Sequence, residues 1–186
     1  LPLLTFIFST FCTILSAQSI RSTYHSGDGA EVSDPKKSLF YRTIAPDDTY
    51  PDLFKYEEHF TKNDQLKLST RLTYSGATNT KIGVCSTYYA NGKLREKSKF
   101  DKNHNLIDTS YTYYQSGILY AKKSYSYSTD KVSENESTAV DKLPSVKVSY
   151  ILIQDTLGNI LAENGKGRLI VFDLTRLLIE EEGLIL

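Results

Sequence analysis

The chain has 186 residues, 40% of them hydrophobic, with 14 Tyr, 8 Phe, no Trp and no Met. That apolar share is low for a domain built round one thick core, whereas Tyr and Thr suit strands that are packed on one side and wet on the other. Its 22 basic and 22 acidic residues cancel, so no global field draws the chain to nucleic acid or to an anionic membrane, and nucleic acid is not an expected partner.

Residues 1–17 carry no charge and end in Leu15-Ser16-Ala17 before Gln18. An apolar run that closes on small residues has the form of a secretory signal helix, cleaved here after Ala17. It is too short and too rich in Ser and Thr for a span of about 20 residues, so the mature chain is expected to have no stable membrane span. A buried strand pair is the alternative. Neither Met nor a basic stretch precedes Leu1, which points to a few residues before it. Cys12 would leave with the signal; Cys85 would then be alone and could form no internal disulfide. Phe11 opposes lipid attachment at Cys12, where a small residue would have to come first.

Residues 18–38 are polar and read as a flexible lead-in. Leu39–Ile44 is a short strand closed by Pro46-Asp47-Asp48. Leu53–Phe60 fits strand or helix; strand is preferred because Thr61–Asp64 forms a turn and Leu66, Leu68, Thr70 and Leu72 alternate after it. Asn63-Asp64 stands where the later copies place a glycine turn.

The strongest signal is internal repetition. Thr87-Tyr88-Tyr89-Ala90-Asn91-Gly92-Lys93-Leu94 recurs as Thr112-Tyr113-Tyr114-Gln115-Ser116-Gly117-Ile118-Leu119, 25 positions on. Each copy reads as strand, glycine turn, strand, with Asp101–Asn105 as a polar connector. Alternation places Ile107, Thr109, Tyr111 and Tyr113 on one face, joined by Leu119, Ala121, Tyr125 and Tyr127 of the return strand, with Lys123 as a misfit. A hairpin apolar on one face only must pair edgewise with its neighbours. Residues 128–144 are a polar insertion. Strand character resumes at Val146–Ile153, turns at Asp155–Asn159, returns over Ile160–Ala162 and turns again at Asn164–Gly167. The end at Leu186 is apolar and lacks the polar cap of a finished repeat array, so more chain is expected after it.

The Tyr-Tyr-x-x-Gly-x-Leu copies resemble the variant MORN repeat of exported proteins from Bacteroidetes-type bacteria, most clearly over 85–127 and less closely over 53–72 and 150–183. Asp155-Thr156-Leu157-Gly158-Asn159 resembles the turn of a half-repeat in such proteins. The layout of signal, opening strand and irregular repeats is similar to the periplasmic N-terminal part of some TonB-like energy transducers, although no transducer C-terminal domain follows here. The resemblance implies a single-layer sheet of hairpins that serves as a contact surface and has no active site.

No residue set recommends catalysis. Gly158 and Gly165-Lys166 have six intervening residues and no Ser or Thr after the lysine, against the requirements of a phosphate loop; hairpin turns explain them. His25, His59 and His104 are scattered, lack metal-ligand spacing and read as solvated. Glu57-Glu58 and Glu180-Glu181-Glu182 would point alternately to opposite faces and read as solvated charges that discourage edge pairing.

The expected fold is all-β: an antiparallel meander of β-hairpin repeats in an extended, twisted single layer, preceded by the signal helix. The divisions are 1–17 signal, 18–38 lead-in, 39–127 repeats, 128–144 insertion and 145–186 further hairpins. The structural residues are Gly92 and Gly117 at the turns, and Tyr88, Tyr113, Leu94 and Leu119 on the packed face. Tyr89 and Tyr114 are the recognition candidates, against the plainer reading that they cover a neighbouring hairpin. The expected function is a non-catalytic exported protein, periplasmic or secreted, that binds a protein partner in the envelope without cofactor or metal. A transducer fragment, or a cell-wall or carbohydrate-binding module using a tyrosine ladder, is the alternative.

Overall fold

The computed structural model describes residues 21–75, 78–128, 145–173 and 178–185. Its strands are β1 (Arg21–His25), β2 (Phe40–Pro46), β3 (Phe54–Phe60), β4 (Leu66–Ser75), β5 (Thr78–Tyr88), β6 (Leu94–Phe100), β7 (Leu106–Tyr113), β8 (Leu119–Ser128), β9 (Ser145–Gln154), β10 (Ile160–Glu163), β11 (Lys166–Asp173) and β12 (Leu178–Ile185). They form one open antiparallel sheet in strict sequence order, so each strand pairs only with its neighbours in the chain. The expected all-β meander is therefore the fold. The expected signal helix, and all of the insertion except Ser128, lie outside the described residues.

The turns follow from the sequence. In the two copies, Gly92 and Gly117 take φ of 81° and 94°, and their N–H groups donate to the carbonyls of Tyr89 and Tyr114. A left-handed glycine after a tight turn keeps the strands in register, and a side chain there would clash with its own backbone. Asp64 takes the same role with φ 58°, as its alignment with those glycines implied. Asn164-Gly165, both at positive φ, closes the two-residue hairpin of β10 and β11. At Gly167 the constraint is space: a Cβ would lie 2.5 Å from the Leu161 carbonyl oxygen and 2.6 Å from the Ala162 Cα.

The enclosed cluster is Tyr114, Tyr120, Ala121, Ile153 and Ala162, with Ile118, Tyr150, Leu161 and Leu169 against it. The Tyr120 hydroxyl donates to the carbonyl of Ile170, 2.8 Å away. That residue is on β11, three strands along, about 14 Å away in a flat sheet and beyond a tyrosine's reach. The sheet therefore curls here, and the curl shelters one face without a second layer.

Two expectations need correction. Arg21–His25, inside the expected flexible lead-in, is strand β1, in register with β2 from Arg21↔Ile44 to His25↔Phe40. No apolar stripe announces it: backbone pairing and the His25 ring stacked on Phe40, 5.2 Å between centroids, hold it. The face assignment in β7 is inverted. Ser110, Thr112 and Tyr114 are the buried residues, while Thr109 and Tyr111 line a trough on the opposite face. On the return strand the assignment holds in part: Ala121 is fully buried, Tyr125 bonds Ser110 and Lys123 lies over the Tyr150 ring, but Leu119 is only half-buried and Tyr120, outside the assignment, is buried. Large apolar side chains do not mark the sheltered face, because a single-layer sheet shelters small hydroxyl residues beneath longer neighbours. Asp108, at φ 60°, and the bulges after Lys97 and Thr112 also break the count of two.

Candidate interaction surface

In a meander, alternate turns share an edge. One edge carries the turns 60–65, 89–93, 114–118 and 155–159, and side chains link each of them to the next. The Asn63 amide donates to the Ala90 carbonyl at 2.9 Å and the Asn91 amide to the Gln115 carbonyl at 3.1 Å. Lys93 adds a bond to the Ser116 carbonyl. The residue closing each turn covers the next glycine: Gln65 lies over Gly92, Lys93 over Gly117 and Ile118 over Gly158. The repeat is thus written into tertiary contacts as well as into the sequence.

Tyr89 and Tyr114 belong to this ladder. The Tyr89 hydroxyl donates to the Tyr113 carbonyl at 2.6 Å, and the Tyr114 hydroxyl to the Gln154 carbonyl at 2.8 Å. In each case the acceptor immediately precedes the next turn. Both rings are buried, at 5% and 1% exposure, and burial pushes both phenols above their ordinary range. They therefore offer no exposed recognition surface, which corrects that expectation in favour of the covering role. Tyr88 and Tyr113, expected on the packed face, are half-buried instead, as are Leu94 and Leu119. The displacement follows from the bulges at Thr87/Tyr88 and Thr112/Tyr113, which turn the second tyrosine of each pair into the corner. Phe60 occupies the corner of the first turn and has no hydroxyl to donate.

The last described turn of the row, 155–159, is built differently. The Asp155 carboxylate accepts from the N–H groups of Leu157 and Asn159 and from the Asn159 amide; these bonds, the side-chain amide first, hold its carboxyl below the usual range. Leu157 at the apex is 81% exposed and Ile160 beside it 58%. Asp101–Asn105, on the opposite edge, repeats the construction: Asp101 accepts from Asn103 and Asn105, and His104 takes the positive φ of Gly158. The same Asp-x-x-x-Asn spacing stands at both turns in the sequence.

Buried charge lies elsewhere. Glu58 is 5% exposed. Its Oε1 accepts from Arg42 at 3.0 Å and from the Tyr56 hydroxyl at 2.7 Å, and Oε2 from Lys67. Burial alone would push its carboxyl up, but the bonds from Lys67, Tyr56 and Arg42 outweigh that and hold it below its ordinary 4.5. Tyr56 is pushed up by burial and by the same carboxylate. Glu58 is thus no solvated edge charge; Glu57, on the other face, pairs with Lys55 at 3.0 Å. The side chains of Glu180, Glu181 and Glu182 lie outside the described residues. Asp47 accepts from Arg71 at 2.5 Å and from the N–H groups of Thr49 and Tyr50.

Of the histidines, His104 is exposed as expected, His59 is half-buried and His25 departs from a solvated role. His25 is 4% exposed; its Nδ1 bonds the Gly29 carbonyl and its Nε2 the Thr23 hydroxyl. His59 stacks on Tyr41 and His104 on Phe100. Among the described residues no three His, Cys, Asp or Glu side chains are placed to hold a metal ion, and no helix is long and apolar enough to cross a membrane. Cys85 is a buried free thiol, its ionisation made harder by that burial. No protein-family model, no curated protein and no solved structure matches the chain.

Proposed function

We propose that this chain is an exported, non-catalytic repeat protein of the variant MORN type, which presents its hairpin sheet to a protein partner in the bacterial envelope. The observation that carries the reading is the row of linked turns, whose last described turn bears the exposed pair Leu157 and Ile160. Linked turns form a contact edge whose geometry is fixed before a partner arrives, which lowers the ordering cost of association. Exposed aliphatic groups on it supply desolvation energy. The charge-free run at 1–17, with small residues before Gln18, supports export.

The test places a photo-crosslinking amino acid at Asn91, Ser116 or Leu157, and at Asn103 on the other edge, in a bacterium that carries the gene. The expected result is one common adduct from the three turn-row positions and none from Asn103. No adduct from the row, or equal adducts from both edges, would remove the basis of the proposal.

A further inference from the structure

The turn row leaves a second feature unused. On the face that carries Tyr88 and Tyr111, two concavities adjoin, of about 380 Å³ and about 250 Å³, and Val84 lines both. Ser69, Ser86 and Tyr88 line the first; Lys97, Thr109 and Tyr111 the second. They make one trough across β3 to β7, with one half-buried phenol in each concavity. In register, Ser86 pairs with Lys97, Lys97 with Tyr111 and Tyr111 with Lys122. Tyr88 and Tyr111 are two strands apart and offset by two residues, a separation of about 12 Å.

Most charges in the trough are already paired. Arg71 is held by Asp47, Lys55 by Glu57 at 3.0 Å and Lys99 by Asp108 at 2.7 Å. Lys97 has no carboxylate within ion-pair distance among the described residues. Lys122, across Tyr111, holds its ammonium 5.9 Å from that ring. The Tyr111 end therefore keeps free positive charge, while Asp48, exposed, lies at the far end. Phenol faces and Val84 suit the apolar faces of polar rings, the Ser and Thr hydroxyls suit ring hydroxyls, and free ammonium groups suit carboxylates on some of those rings.

We infer that this trough binds a linear acidic oligosaccharide, with rings stacked on Tyr88 and Tyr111 and a carboxylate at Lys97. The 12 Å span asks for an oligomer rather than one sugar. A polynucleotide fits less well, because it brings a charge at every residue past Asp47, Asp48 and Asp108. The proposal does not rest on the turn row, and its failure would leave that reading untouched.

The experiment titrates the isotope-labelled full chain with a short hyaluronan oligosaccharide, whose carboxylates stand on alternate rings, a neutral chito-oligosaccharide of equal length and a single-stranded DNA oligonucleotide, following amide shifts. Saturable shifts centred on Val84, Lys97 and Tyr111 are expected with the acidic saccharide alone. Lys97→Glu and Tyr111→Ser should each weaken binding by roughly tenfold, as loss of one charge-assisted or stacking contact would. Both variants are checked for a native amide spectrum, and Asn91→Ala, on the turn row, should leave binding unchanged. No saturable shift with the acidic saccharide, equal or tighter binding of the neutral one, preference for DNA, or shifts elsewhere would each overturn the inference.

Discussion

In β2–β4, one of the most enclosed side chains is a carboxylate, Glu58, surrounded by Arg42, Lys67 and Tyr56; in β7–β11, the most enclosed are Tyr114, Ala121 and Ile153. Both regions have the same antiparallel ladder, so backbone pairing alone does not explain the difference. The ladder sets geometry, and the sheltered face is free to use whichever chemistry its neighbours satisfy. Ion pairs serve where Lys67 lies 3.8 Å over the Phe40 ring and Arg42 stands near Tyr56. Apolar packing serves where the sheet curls enough to exclude water. The two regions should therefore respond to different perturbations.

The largest contrast comes from Tyr114→Ala, which empties the apolar cluster and should cost about 3–5 kcal/mol. Denaturant unfolding would measure the loss, and amide exchange should rise in β8–β11 more than in β1–β3. An even rise along the chain would mean that the two regions are not separate packing units.

Glu58→Ala should cost about 2 kcal/mol, less than the full value for a buried pair because Arg42 and Lys67, near 30% exposed, can turn to water. The acid response follows from the same group. Its folded pKa lies below the ordinary 4.5, so its stabilisation is present above that pH and is lost as pH falls through the depressed folded value. Exchange in β2–β4 should quicken first on acidification, and Glu58→Gln should flatten that dependence. An acid response centred on β8–β11 would place the sensitive group elsewhere.

Gly117→Val should cost about 1–2 kcal/mol, because a β-branched residue resists φ of 94°. Gly92→Val should do the same, and the double variant should show a lowered melting temperature. The smallest effect, about 1 kcal/mol, is expected for Tyr89→Phe, which removes the bond to the Tyr113 carbonyl but keeps the ring. Melting of that variant against wild type at neutral pH would show it.

The hairpin architecture was legible because the turns are chemically explicit: Asn91-Gly92, Ser116-Gly117 and Asn164-Gly165 each require positive φ, and Asp64 could be placed by alignment. The inward-facing residues were harder to read. Counting by two assumes an unbroken ladder, whereas bulges beside Tyr88 and Tyr113 shift the frame just where the repeats matter. Tyr89 and Tyr114 then become corner residues that tie one hairpin to the next. Glu58 was equally hidden, since nothing in a Glu-Glu pair marks which member meets Arg42 and Lys67 from strands 16 and 9 residues away. Strand β1 is not legible in its own five residues, because its ordering comes from Phe40 and the β2 backbone.

Through-space proton contacts in the isotope-labelled chain test most directly whether the two tyrosine-rich copies share one sheet. Contacts between the backbones of Lys97 and Tyr111, and between the Tyr89 ring and the backbone at Tyr113, are expected. Ribbons that keep their internal contacts but lack both of these would contradict a continuous sheet and the linked row of turns built upon it.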